Sequence, residues 1–108
     1  MANLGNEIKF GDVTIKILSN SDDLTVSELE IPAGAIATPH QHPHEEVNYV
    51  VSGSLDFMSE GETVTLHAGQ SITIDPNQLH NITNSSNTTG VVLSVWTPSR
   101  KDLIAKLA

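Results

Sequence analysis

The sequence predicts an all-β fold with a short helix at its C-terminal end, and three observations support this. Short runs rich in β-branched residues recur along the chain. Clusters of Gly, Pro, Asn, Asp and Ser separate them at close spacing, which is typical of a β-sandwich or barrel. Helical spacing of apolar residues is confined to the C-terminal tail. A chain of 108 residues is expected to form one domain, residues 1–108.

The predicted elements follow from local patterns. Six runs are predicted to be strands: Val13 to Leu18, Leu24 to Ile31, Val47 to Val51, Thr63 to Leu66, Ser71 to Ile74 and Val91 to Trp96. The tail from Ser99 to Leu107 is predicted to be helical, because Ser99 and Asp102 resemble a capping box. Its apolar stripe consists of Leu103, Ile104 and Leu107.

Composition excludes several classes of partner and site. Thirteen acidic residues against five basic ones give a net charge of −8, which disfavours nucleic acid and anionic lipid as partners. Without cysteine there is no disulfide and no thiolate metal ligand, so imidazole and carboxylate are the strong ligands left. No targeting segment or membrane-spanning run is recognisable, and we expect a cytoplasmic protein with no membrane association.

The histidines are strongly clustered, since three of the five lie in the segment 40–44. Side chains two apart on a strand share a face, so His40 and His42 can converge on one ion. Glu46 can return toward the same point from the next strand, and His80 is the natural third imidazole. Three histidines and a carboxylate predict one divalent transition metal ion (Mn, Fe, Ni or Zn) with open coordination positions.

At these residues the chain resembles the cupins. Their first motif, G-x5-HxH-x3-E-x6-G, is met in full by Gly34, His40, His42, Glu46 and Gly53. The second, G-x5-PxG-x2-H-x3-N, is met by Gly69, His80 and Asn84, with Asp75 in place of proline and Asn77 in place of glycine. Asparagine tolerates the left-handed backbone that this glycine supplies. The resemblance implies a jelly-roll barrel with His40, His42, Glu46 and His80 as metal ligands inside it.

A narrower resemblance is to the small single-domain cupins of pectin breakdown, which linearise unsaturated galacturonate to an open-chain keto sugar acid. It rests on "HQHPHEEVNYVVSG", "HAGQSI" and "VVLSVWTPSRKDL". In that group the late strand reads roughly D-x-F-x-P-x-R-x-D, and its first aspartate, aromatic residue and arginine face the substrate. Trp96 and Arg100 stand at the aromatic and arginine positions, but Ser94 replaces the aspartate, and Glu46 stands where glutamine is common.

The resemblance therefore implies catalytic roles for residues of the late strand and the following turn. Arg100 would hold a substrate carboxylate and Trp96 would stack on a sugar ring, although either could instead be structural. Ser94 would face the substrate but cannot act as a general base unaided. His44 could serve as a base or gate, or lie exposed in its loop. His67 is expected to be solvated.

Three functions remain open from the sequence. The first is a metal-dependent enzyme, an isomerase or lyase, in which the ion acts as a Lewis acid on a small oxygenated, sugar-acid-like substrate. The second is an iron-dependent dioxygenase, and the third is a non-catalytic module that binds a small ligand. The resemblance also implies a homodimer in which the N-terminal strands, Ile8 to Leu18, pack against the partner subunit. Tyr49 has the opposite strand parity to Glu46 and is expected to point away from the metal and to pack.

Overall fold

A computed structural model describes residues 6–107 of the chain. Its elements in order are β1 (Glu7–Phe10), β2 (Val13–Asn20), β3 (Thr25–Ile31), β4 (Glu45–Ser52), β5 (Ser54–Ser59), β6 (Glu62–His67), β7 (Ser71–Ile74), β8 (His80–Thr83), β9 (Gly90–Thr97), α1 (Lys101–Ile104) and a 3-10 helix (Ala105–Leu107). The all-β prediction with a short C-terminal helix is confirmed.

Two antiparallel sheets enclose the core. The larger has six strands in the order β1-β2-β3-β9-β4-β7, and the smaller has three in the order β6-β5-β8. In β2, β3, β4 and β9 every second side chain is buried, which is the pattern of strands with one face on a core. Side chains of both sheets meet there, Ile17 and Val92 from one and Leu55 and Phe57 from the other.

All six predicted strands are present, and three more had been missed as strands of their own. β1 (EIKF) contains one β-branched residue and β8 (HNIT) contains two, and β1 was covered only by the expected N-terminal strands. β5 (SLDFMS) contains none, and it directly follows the turn at Gly53. Each missed strand therefore lacks the run of β-branched residues on which the prediction relied.

The predicted C-terminal helix is shorter than expected, and the capping box is wrong. Arg100 is the N-cap residue, and among residues 6–107 no side chain caps the helix. The hydroxyl of buried Ser99 instead donates to Oδ1 of Asn20 at 2.7 Å. Because Ser99 is needed to join the tail to the end of β2, it is not available to the helix N-terminus.

The left-handed turn expected at Asn77 is confirmed, with φ at 64°. Its backbone N–H donates to the carbonyl of His42 at 2.8 Å, so this turn anchors the loop that carries two of the histidines. An asparagine can therefore replace the glycine of the second motif without loss of the turn. Within residues 6–107 no helix is long and apolar enough to cross a membrane.

We expect a symmetric dimer, because β1 is an edge strand of the larger sheet within residues 6–107 and β4 exposes Val47, Tyr49 and Val51 on its outer face. Light scattering at micromolar concentration should give twice the chain mass, and a monomer would contradict the prediction. The variant Tyr49→Lys tests which surface forms the interface. If the dimer survives this change, the N-terminal strands hold it together, as the family resemblance implies. Tyr49 points away from the histidines as predicted, but it is exposed rather than packed in the core.

Candidate metal centre and its cavity

Backbone pairing brings two distant histidines together. His40 and His80 form an isolated antiparallel bridge, in which each backbone N–H donates to the other residue's carbonyl, at 3.0 and 2.9 Å. Their ring centroids are 4.4 Å apart, and the ring of His42 lies 4.9 Å from that of His80. The ligand nitrogens of the three histidines all lie within 4.8 Å of one another, so one ion could contact all three.

The second nitrogen of each ring faces a backbone carbonyl. The Nδ1-to-oxygen distances are 2.9 Å from His40 to Thr38, 3.2 Å from His42 to His44 and 2.7 Å from His80 to Gln78. A carbonyl can only accept, so these contacts place a hydrogen on every Nδ1. Each neutral ring then offers its Nε2 lone pair, the arrangement that orients metal-binding histidines.

Glu46 lies beside the three rings and is 4% exposed. Its Oε1 is 3.0 Å from Nε2 of His42 and 3.4 Å from Nε2 of His80. The indole Nε1 of Trp96 donates to the same oxygen at 2.5 Å, and the Nδ2 of Asn48 donates to Oε2 at 2.7 Å. Burial alone would raise the pKa of Glu46, but its contacts with His42, His80 and Asn48 hold that pKa well below its ordinary value.

The donor set fits a divalent transition metal ion. Nε2 of His80 is buried and has no hydrogen-bond partner among residues 6–107. An imidazole lone pair and a carboxylate oxygen 3 Å apart are both acceptors, so a cation must lie between them, either a proton or a metal ion. Burial opposes the charged form of His80, yet nearby Glu46 outweighs it and raises the pKa. In His40, burial lowers the pKa and favours the neutral ligand form.

Asn48 is a buried site residue that the sequence patterns did not single out. Across the β4–β9 pair it lies opposite Ser94, just as Glu46 lies opposite Trp96. The Ser94 hydroxyl donates to Oδ1 of Asn48, whose Nδ2 donates to Glu46. Ser94 is 0% exposed and does not line the cavity beside the histidines. Its hydroxyl contacts Asn48, and Asn48 in turn supports the carboxylate of Glu46. The sequence did offer one signal for this residue: Asn48 follows Glu46 by two positions on the same strand, so both side chains point inward.

A cavity of about 260 Å³ adjoins the histidines and is also lined by Trp96 and Arg100. Arg100 is paired bidentately with Asp102, through Nε to Oδ1 at 3.0 Å and Nη2 to Oδ2 at 2.9 Å. Its guanidinium carbon lies 4.8 Å from the Trp96 ring centroid, which is a cation–π contact. The Arg100 hydrogen bonds hold the pKa of Asp102 at about 2, so this pair stays ionised.

The two remaining histidines do not belong to the ion-binding group, although the ring centroid of His44 lies 5.4 Å from that of His42. His44 is half-buried, and its Nε2 is 3.1 Å from the carbonyl of Ser99, so it contacts the turn before α1 and does not line the cavity. Burial lowers the pKa of His44. His67 is exposed and shares a 2.7 Å hydrogen bond with Ser54, as expected for a solvated side chain.

Comparison with known proteins gives consistent matches. A family model described as "Cupin domain" matches residues 27–96. The pectin degradation protein KdgF of Dickeya dadantii (strain 3937) is 33% identical over 90 residues, which cover 82% of this chain and 81% of that protein. The solved structure of KdgF from Halomonas sp. superposes with a TM-score of 0.85 at 24% identity, covering 95% and 97% of the two chains. The crystal structure of an RmlC-like cupin from Shewanella frigidimarina NCIMB 400 superposes with a TM-score of 0.83 at 25% identity, covering 92% of this chain and 88% of that chain.

Proposed function

Since the chain belongs to the cupin family, we propose that it is a metal-dependent enzyme acting on a small oxygenated carboxylic acid of the sugar-acid type. One observation carries this proposal: three converging histidines and an arginine line the same cavity. An ion and a carboxylate-binding group at one cavity suit a substrate that is both an acid and a metal ligand. The Dickeya relative is a pectin degradation protein, which favours an acid derived from that polymer.

His40, His42, His80 and Glu46 would hold the ion, which we propose to be Mn, Fe, Ni or Zn. When bound, such an ion acts as a Lewis acid and polarises a carbonyl or enol oxygen of the substrate. Backbone carbonyls that accept from each Nδ1 hold the three histidine rings in the orientation that the ion needs. Asn48 and Trp96 do the same for the carboxylate of Glu46.

Arg100 is proposed to bind the substrate carboxylate. A guanidinium has five N–H donors in a fixed plane, and Asp102 uses two of them at one edge. The remaining donors can pair with a second carboxylate while Asp102 and the face of Trp96 keep the plane in place. Trp96 is thus proposed to orient both Arg100 and Glu46. Ser94 is proposed to act through the side chain of Asn48, which its hydroxyl contacts. His44 is proposed to act through the backbone carbonyl of Ser99.

Turnover tests distinguish this proposal from its alternatives. Protein loaded with Mn²⁺ or Fe²⁺ should be assayed with unsaturated galacturonate and with short 2-oxo acids, in air and under nitrogen. The proposal expects metal-dependent conversion of at least one acid at equal rates in both atmospheres. Oxygen consumption coupled to turnover would instead assign an iron-dependent dioxygenase. Tight binding of an acid without conversion would assign a binding module.

Arg100→Gln should raise KM or the acid's Kd by roughly 10- to 100-fold, since it removes a hydrogen-bonded charge pair with the substrate. Arg100→Lys should recover only part of the loss, because an ammonium group cannot pair bidentately. Titration of the metal-loaded protein with each acid measures both. Lys101→Gln is the matched control, because it removes one exposed positive charge from the adjacent position. If Lys101→Gln weakened acid binding as much as Arg100→Gln does, only the overall charge near the start of α1 would matter for binding.

A further inference from the structure

We infer that Thr25 is a positioning residue for Arg100 and thereby helps to set how tightly the substrate carboxylate is held. This inference rests on the proposed function and adds to it a residue that no sequence motif singled out. Thr25 is 0% exposed at the start of β3, and it does not line the cavity beside the histidines. Any effect of Thr25 on a ligand in that cavity must therefore pass through another residue.

The peptide unit that joins Ser99 to Arg100 is held at both of its polar atoms. Its N–H, which belongs to Arg100, donates to Oγ1 of Thr25 at 2.8 Å. Its carbonyl, which belongs to Ser99, lies 3.1 Å from Nε2 of His44. Thr25 begins β3 and His44 directly precedes β4, so two separate segments hold this unit. Because a peptide unit is planar, these contacts fix its orientation up to the Cα of Arg100.

The hydroxyl of Thr25 is itself oriented by Asn20. It donates its one hydrogen to Oδ1 of Asn20 at 2.7 Å, and the hydroxyl of Ser99 donates to the same oxygen at 2.7 Å. With that hydrogen used, Thr25 presents an oxygen lone pair to Arg100, which is the partner that a backbone N–H needs. Thr25 and Ser99 are buried, so water cannot readily replace a lost contact.

Arg100 is thus held at both ends of its side chain. Its backbone contacts Thr25, while its guanidinium pairs with Asp102 and lies over the ring of Trp96. Across the β3–β9 pair Thr25 lies opposite Trp96, so its contact with the backbone ties Arg100 to the larger sheet beside the ring. Bidentate binding of a carboxylate depends on the placement of the guanidinium plane. A shift of the backbone at Arg100 should therefore weaken acid binding.

Thr25→Val tests the inference, because it keeps the shape of the side chain but removes the acceptor of the Arg100 N–H. The Mn²⁺-loaded protein should be titrated calorimetrically with galacturonate and, separately, with pyruvate. The Kd of each acid that binds should rise by roughly 3- to 10-fold, a part of the loss expected for Arg100→Gln. The Kd of Mn²⁺ should not change, since Thr25 lies outside the ion-binding group. Thr25→Ser keeps the hydroxyl and should restore most of the acid binding.

A second comparison separates positioning from stability. In protein that carries Arg100→Gln, the further change Thr25→Val should not weaken acid binding again, because the residue through which Thr25 acts is already gone. Ser27→Ala is the matched control. Ser27 is also 0% exposed on β3, and its hydroxyl donates to the carbonyl of Ser94, so its loss should leave the acid's Kd unchanged. If Thr25→Val does not fold, Asn20→Ala takes its place and should raise the Kd in the same direction, since it removes the acceptor of the Thr25 hydroxyl from a half-buried position.

The outcomes distinguish this inference from the proposed function. If Arg100→Gln raises the acid's Kd but Thr25→Val does not, the inference is wrong and the proposed function stands. The same holds if Ser27→Ala reproduces the weakening, or if Thr25→Val weakens binding equally in protein that lacks the arginine. If the wild type binds neither acid, or if Arg100→Gln binds as tightly as the wild type, the proposed role of Arg100 fails and the inference fails with it.

Discussion

Replacing His40 and His42 together with alanine should abolish metal binding, weakening it by more than about 100-fold. The change removes two of the three imidazole nitrogens that converge within 4.8 Å. Loss of a group that merely orients a ligand already costs about 10- to 100-fold in metal affinity, so loss of two ligands should cost more. Elemental analysis of protein purified without chelator measures the effect, and the wild type should carry about one divalent ion per chain.

Thermal unfolding gives a second measurement of the same prediction. An ion at about 100 times its Kd stabilises the folded state by about 2.7 kcal/mol, which corresponds to roughly 10 °C or more in a domain of this size. Manganese, iron, nickel or zinc should therefore raise the Tm of the wild type but not that of the double variant. His67→Ala is the control, because His67 is an exposed histidine on β6. Equal loss of binding in both variants, or no stabilisation of the wild type by any of the four metals, would contradict the site.

The sequence was sufficient to predict the histidine set, and the reason is local geometry. The two-residue period of extended chain places His40 and His42 on one side, and the motif spacing singles out His80 as their partner. The pairing of His40 with His80 is a single backbone bridge outside the named strands, which no run of β-branched residues signals. The resemblance to a known family supplied that contact before the structure did.

Other features depend on contacts between distant segments and could not be read from local patterns. Asn48 meets Ser94 because β4 pairs with β9, and the register of that pair depends on the whole sheet. The cavity lining combines residues of β2 and β3 with Leu103 from α1 and with Phe10 from β1, whose ring centroid lies 5.3 Å from that of His40. The chemical character of such a lining emerges only when these segments are packed together.

The buried chain of hydrogen bonds from Ser94 through Asn48 to Glu46 runs in one direction. The serine hydroxyl donates to Oδ1 of Asn48, and Nδ2 of Asn48 donates to Glu46, so the chain ends on one carboxylate. An asparagine amide can rotate so that its oxygen and nitrogen exchange places. Asn48 can therefore also join a chain of hydrogen bonds that runs in the opposite direction. That reversed chain needs a carboxylate at position 94 and an amide at position 46, the pattern common in the pectin-breakdown cupins that the sequence resembles.

Ser94→Asp alone should destabilise the protein by about 3–5 kcal/mol, since two buried carboxylates would compete for the single Nδ2 of Asn48 and one would stay unpaired. Combining Ser94→Asp with Glu46→Gln should recover much of that loss, because the amide introduced at position 46 can donate to Asn48, and Asn48 can donate to the carboxylate introduced at position 94. Ser94→Asn is the control for volume, since it has the shape of aspartate without its charge. Thermal unfolding of the wild type, both single variants and the combined variant completes a double-mutant cycle, in which we expect about 1–3 kcal/mol of favourable coupling.

The same exchange should change activity, because a carboxylate at position 94 can move a proton where a serine hydroxyl cannot. Positioned general acid–base catalysis is worth roughly 10²- to 10⁴-fold in rate. The combined variant should therefore convert unsaturated galacturonate at least about tenfold faster than the wild type, with loss of the sugar's ultraviolet absorbance as the measurement. Fast turnover by the wild type would show that another group already supplies the base. A combined variant as unstable as Ser94→Asp would contradict this prediction. It would show that the amide of Asn48 cannot reverse, because the surroundings of the buried chain fix its direction whatever residues stand at its two ends.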